Sequence, residues 1–181
     1  MPWFDDPVEA IGKYSAVLRD NDEDIRSLLY RGEAYRMQRQ LPEAIADFSR
    51  IIDRVSLATE DSREALGLLH AHICRGVAHV AAGNGEAAFA DFNTAIEVDP
   101  DYHLGYYNRG KYWFATGEPT KAIDDHTKTI ELDSGFVPAY LQRGIEWKWI
   151  REFEKANADF AVVRKYNNQC TGPKIGAPRK T

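Results

Sequence analysis

From Leu41 to Arg54 the apolar side chains fall in a stripe. Ile45, Phe48, Ile51 and Ile52 stand at i, i+3, i+6 and i+7, the spacing of one helical face. Turn-forming clusters punctuate the chain at Gly83-Asn84-Gly85, Asp99-Pro100-Asp101, Gly117-Glu118-Pro119 and Asp133-Ser134-Gly135. The pattern predicts an all-α chain of helices joined by tight turns.

The stripe recurs. Gly32, Gly76, Gly110 and Gly144 each follow an arginine, and each is followed twelve residues later by Ala44, Ala88, Ala122 or Ala156. Four further on stand Phe48, Phe92, His126 and Phe160. The last two intervals are 34 residues and the first is 44, a 34-residue unit with ten residues added. Such a period means stacked copies of one supersecondary unit. A glycine inside a helix costs up to about 1 kcal/mol relative to alanine, so four at one phase imply close helix contact, with the alanine where the partner helix crosses. Residues 7–19 read as a second helix without its first: Ala10, Tyr14 and Val17 precede Ala44, Phe48 and Ile51 by 34. Trp3 and Phe4 are expected to cover its flank.

The motif Arg-Gly-x-x-(Tyr/His/Trp), then (Gly/Gln)-x-x-x-x-Ala-x-x-Asp-Phe, then Ala-Ile-Glu-Val-Asp-Pro at 95–100 resembles the tetratricopeptide repeat, TPR. The resemblance covers residues 7–166. It implies a right-handed α-solenoid of antiparallel helix pairs: a TPR domain over 1–166, with a half repeat at 7–22, repeats at 25–58, 69–102, 103–136 and 137–168, and an insertion at 59–68. In TPR proteins the first helices line a concave groove. Carried over, the groove positions are Leu29, Tyr30, Glu33 and Met37 in repeat one; His70, Ile73, Cys74, Val77 and Ala81 in repeat two; Leu104, Tyr107, Asn108, Lys111 and Phe114 in repeat three; and Leu141, Gln142, Ile145, Lys148 and Trp149 in repeat four. Some TPR domains clamp the C-terminal carboxylate of heat-shock chaperones with Lys, Asn and Arg. Asn108 matches that pattern, but Ile73, Val77, Pro138 and Gln142 do not, which argues against such a clamp.

The repeat register yields further expectations. Sixteen residues after Arg31, Arg75, Arg109 and Arg143 stand Asp47, Asp91, Asp125 and Asp159, predicting a repeated ion pair between the two helices. Outward positions of the second helices are apolar (Ile11/Leu18, Ile45/Ile52, Phe89/Ile96, Ile123/Ile130) until Asn157 and Arg164. Terminal solenoid repeats need a polar outer face, so repeat four is expected to be a cap. Thr59-Glu60-Asp61-Ser62 offers helix caps, and the first helix of repeat two is expected to start near Glu60 and project.

Net charge is −5, and residues 164–181 hold five basic residues and no acid, so the remainder carries −10. An acidic body argues against nucleic acid. The basic, Gly/Pro-rich tail at 167–181 is expected to be disordered. Two cysteines do not suggest a disulfide framework, and neither a membrane span nor a secretory signal is evident. A cytoplasmic location is the expectation.

Candidate chemistry is thin. Gly105–Lys111 misses a phosphate-binding loop because Tyr112 stands where Ser or Thr would hold magnesium, and both glycines fall within one predicted helix. His70, His72 and Cys74 fall short of a four-ligand zinc set and are expected to be solvated histidines beside a groove-facing cysteine. His126 replaces an aromatic residue and is expected to be buried with its ring hydrogen-bonded. Asp124 and Asp125 point to different faces of one helix. No catalytic residue, metal ligand or cofactor is predicted. The expected function is a non-catalytic interaction module that binds a peptide or helix of a partner protein in the TPR groove. The alternatives are an assembly protein whose groove or edges mediate homo-oligomerisation, and a TPR-type secretion chaperone.

Overall fold

The structure, a computed structural model, describes residues 6–55 and 62–170. The expectations for Trp3 and Phe4, for a helix start at Glu60 and for residues 171–181 of the tail lie outside these residues, whereas residues 167–170, expected to belong to that disordered tail, continue the last helix. Among the described residues there are nine α-helices and no strand: α1 (Pro7–Asp20), α2 (Ile25–Met37), α3 (Leu41–Arg54), α4 (Ser62–Ala81), α5 (Gly85–Val98), α6 (His103–Ala115), α7 (Pro119–Leu132), α8 (Val137–Trp149) and α9 (Phe153–Cys170). The fold class is all-α. First helices run 13 residues except α4, which runs 20. Much of the ten-residue insertion is therefore added helix.

Local chemistry sets the ends. Asp6 and Asp24 cap α1 and α2, accepting from Val8 N and Ser27 N at 2.8 Å each. Every first helix closes through a residue of positive φ at one phase: Arg39 (61°), Gly83 (81°), Gly117 (86°) and Arg151 (66°). The next amide reaches back five residues in each case, Gln40 to Tyr35, Asn84 to His79, Glu118 to Trp113 and Glu152 to Trp147, at 2.8–2.9 Å. This left-handed closure suits glycine, and two repeats supply an arginine instead.

The chain divides into two compact units, residues 1–108 and 109–181. In the first, Leu18, Leu28, Phe48, Ile51, Val55 and Leu68 form a buried cluster. In the second, Ala122, Ile123, His126, Thr129, Ala139 and Glu146 are buried.

The four glycines sit under rings. A Cβ on Gly32, Gly76 or Gly144 would lie 2.6, 2.5 or 2.7 Å from the ring of Phe48, Phe92 or Phe160. On Gly110 it would lie 2.9 Å from His126 Nε2. The group opposite each glycine is thus the ring sixteen positions on and not the alanine at twelve, although all four alanines are buried. A flat ring against a bare helix backbone sets the close spacing of each helix pair.

Candidate functional site

All four arginine–aspartate pairs form. Arg31, Arg75, Arg109 and Arg143 each grip Asp47, Asp91, Asp125 or Asp159 through two nitrogens, with a shortest contact of 2.7–2.8 Å. A third donor continues to the preceding second helix: Arg31 to Ser15 Oγ, Arg75 to Ser49 Oγ and Arg143 to Thr127 Oγ1. Bidentate, charge-assisted bonds to buried carboxylates are strong and geometrically exacting. The Asp47 bond raises the Arg31 guanidinium against the opposing effect of burial. These arginines are consumed in scaffolding.

In the first unit the predicted groove positions vary: Ile73 is buried, Leu29, Tyr30, Glu33, His70, Cys74 and Val77 are half-buried, and Met37 (43%) and Ala81 are exposed. Leu29 packs on the core cluster, and Ile73, expected at the surface, is only 6% exposed. The Tyr30 ring lies 5.2 Å from that of Tyr14. Glu33 accepts two bonds from Arg36, at 3.0 and 2.7 Å. Burial raises the Cys74 thiol well above its usual range, and the negative charge of the nearby Glu33 carboxylate raises it further, so the thiol stays protonated. Val77, Tyr107 and Asn108 are half-buried. The Asn108 Nδ2 donates to Leu104 O at 2.9 Å, within its own helix.

The histidines depart from expectation. His72 is buried rather than solvated, with Nδ1 3.0 Å from Asp91 Oδ1. The Asp91 carboxyl therefore serves both His72 and Arg75. His70 bonds back to Leu66 O at 2.9 Å and stacks edge-on with Tyr102.

In the second unit the same phase is open. Leu141, Ile145 and Trp149 lie at i, i+4 and i+8 along α8, and their exposures are 40%, 38% and 72%. Phe114 meets Trp149 edge to face, with ring centroids 5.9 Å apart. Lys111 and Lys148 are exposed and Gln142 is half-buried. Tyr107, Asn108 and Lys111 share α6 at i, i+1 and i+4.

One site residue escaped sequence reasoning. Glu146 is wholly buried, and its carboxylate lies 2.9 Å from His126 Nδ1. Burial raises the Glu146 carboxyl, and the bond from His126 lowers it again in part. The available signal was a paired departure from the repeat: His126 where Phe48, Phe92 and Phe160 stand, and Glu146 where Ala34 and Ala78 stand.

The family model described as tetratricopeptide repeat matches residues 5–59 and 75–133. No curated protein sequence matches the chain. Among solved structures, MamA is 23% identical over 88% of this chain and 88% of its own, with a TM-score of 0.68. TTC0263, a thermophilic TPR protein of Thermus thermophilus, is 16% identical over 84% of this chain and 78% of its own, with a TM-score of 0.65. The second TPR of Spaghetti (RPAP3), solved bound to the HSP90 peptide SRMEEVD, is 24% identical over 52% of this chain and 88% of its own, with a TM-score of 0.51.

Proposed function

We propose that this chain, which belongs to the tetratricopeptide repeat family, is a non-catalytic interaction module whose first-helix face in repeat four receives a segment of a partner protein. One observation carries the reading: Leu141, Ile145 and Trp149 form a continuous apolar stripe along α8 that the described structure leaves exposed. Exposed contiguous apolar surface marks interaction sites, and large aromatic side chains tend to dominate interface energetics. Rigid helices hold the stripe in place, so little ordering entropy is lost on the receptor side. The Spaghetti module shows a TPR fold in use as a peptide holder, and the reading extends that use to this chain. Lys111, Phe114 and Gln142 complete the proposed face in the second unit. Tyr107 and Asn108 are the proposed contacts in the first unit, with Leu29, Tyr30, Glu33, Ile73, Cys74 and Val77 as secondary ones.

The test is affinity capture with wild type, Trp149→Ala, Tyr107→Ala and the exposed second-helix control Asp124→Ala, after solution mass has been measured. A concentration-independent monomer that captures one partner, lost with Trp149→Ala and kept with Asp124→Ala, supports the module. A stable oligomer that captures nothing favours self-assembly.

A further inference from the structure

The charge around the α8 stripe is one-sided. α8 contains one carboxylate, Glu146, which is buried on His126. Lys148 and Arg151 flank Trp149, both exposed, and neither forms an ion pair among the described residues. The nearest exposed acid in sequence, Glu152, is engaged by Lys155 at 3.4 Å. In a chain of net charge −5, an exposed tryptophan with two unpaired cations beside it in sequence is a local inversion. Complementary charge across an interface selects partners and speeds encounter.

Resting on the interaction reading above, we propose that the partner segment is an acidic peptide: a bulky apolar side chain seated against Trp149 and Ile145, with Asp or Glu beside it meeting Lys148 and Arg151. From Leu141 to Trp149 the stripe is about 12 Å long, enough for roughly two turns of a helix or about four extended residues. The recognition element is therefore short. Electrostatic contacts at its exposed end weaken as salt screens them.

The experiment is a selection of random displayed peptides against the full chain, run in parallel on wild type and Trp149→Ala. Trp149 is exposed, so equal helical signal and melting temperature of the two proteins confirm that folding is intact. The expected result is that peptides recovered only by wild type carry Leu, Phe or Trp adjacent to Asp or Glu. A synthetic copy should bind the Lys148→Glu/Arg151→Glu double variant at least about tenfold more weakly. Replacing the peptide's acids with lysine should restore affinity for that variant. Trp149-dependent peptides that are neutral or basic, or unchanged affinity in the charge-reversed variant, overturn the acidic assignment and leave the interaction module standing. A dimer that Trp149→Ala dissociates, with no peptide selected, overturns it in favour of a second copy. Trp149-dependent binding to phosphatidylserine vesicles, with no peptide selected, overturns it in favour of a membrane surface. Selection without any dependence on Trp149 removes both the acidic assignment and the α8 face.

Discussion

The two units carry the same helix pairs and use the first-helix positions differently. In the first, Leu29 and Ile73 are packed and Glu33 is held by Arg36, while Met37, at the phase of Trp149, is 43% exposed. In the second, the equivalent stretch of α8 leaves Leu141, Ile145 and Trp149 exposed. On the second-helix side both units pack phenylalanine against bare glycine, Phe48 and Phe92 in the first and Phe160 in the second, and the second also buries a His126–Glu146 pair where such apolar packing would serve. One scaffold thus tolerates both an apolar and a polar core, and its binding character is decided by which first-helix side chains remain uncovered.

The glycine contacts give the largest expected effect. Gly110→Leu should destabilise by roughly 1–3 kcal/mol through overpacking, and Gly76→Leu by at least as much because its neighbour is the rigid Phe92 ring. Urea denaturation monitored by circular dichroism measures both. Wild-type midpoints would show that the rings can swing aside and that the glycines do not set helix spacing.

The buried pair comes next. Glu146→Ala leaves His126 without its carboxylate, and His126→Phe leaves Glu146 without its donor. Each should cost about 1–3 kcal/mol. The double change His126→Phe/Glu146→Ala transplants the Phe48/Ala78 pattern of the first unit. It should recover most of the combined loss, because replacing both partners of a buried polar pair with apolar groups can be nearly neutral. Strict additivity would make the pair a coincidence of packing.

The units also differ in the sign of their pH response. Burial alone raises Asp91, but the bonds from His72 and Arg75 outweigh it and hold the carboxyl below the usual aspartate range. Its folded value lies below its unfolded one. Its stabilisation is therefore present above about pH 4 and is lost as pH falls through the folded value. Glu146 is raised, chiefly by burial. Its contribution is full below about pH 4 and is lost as pH rises through the folded value. Relative to wild type, Asp91→Asn should lose stability at neutral pH and converge in acid, whereas Glu146→Gln should gain stability as pH rises from 4 to 7. Parallel profiles for the two variants would contradict the assigned environments.

The smallest effect lies in the turns. Arg39 and Arg151 occupy the left-handed positions that Gly83 and Gly117 fill elsewhere. A side chain there costs roughly 1–2 kcal/mol, and glycine's extra unfolded-state freedom returns about 0.4–1 kcal/mol. Arg39→Gly and Arg151→Gly should each raise stability by up to about 1 kcal/mol in thermal melts. A loss at either position would show that the arginine makes a compensating contact.

Contacts within a repeat were legible because they recur at one offset. The 16-residue spacing predicted four arginine–aspartate pairs, and the ten added residues predicted a longer α4. The ring facing each glycine was visible as a position but not as a contact, since alanine and aromatic share the phase. His72 was read as solvated because its neighbours in sequence gave no hint that Asp91 serves two donors. Glu146 was missed because its partner lies in the preceding repeat, and only reading the two departures together points to it. Periodicity reports what every repeat shares, whereas function and exceptions reside where two repeats differ.

The most direct measurement is calorimetric titration of a selected partner peptide into wild type, Trp149→Ala, Tyr30→Ala and Asp124→Ala. Trp149→Ala should lose more than about 1 kcal/mol of binding free energy with its helical signal intact, as expected for an anchoring aromatic. Tyr30→Ala, at a half-buried ring beside that of Tyr14 in the first unit, should lose little, and Asp124→Ala should match wild type. Unchanged affinity in Trp149→Ala beside a large loss in Tyr30→Ala would contradict the account and move recognition to the first unit.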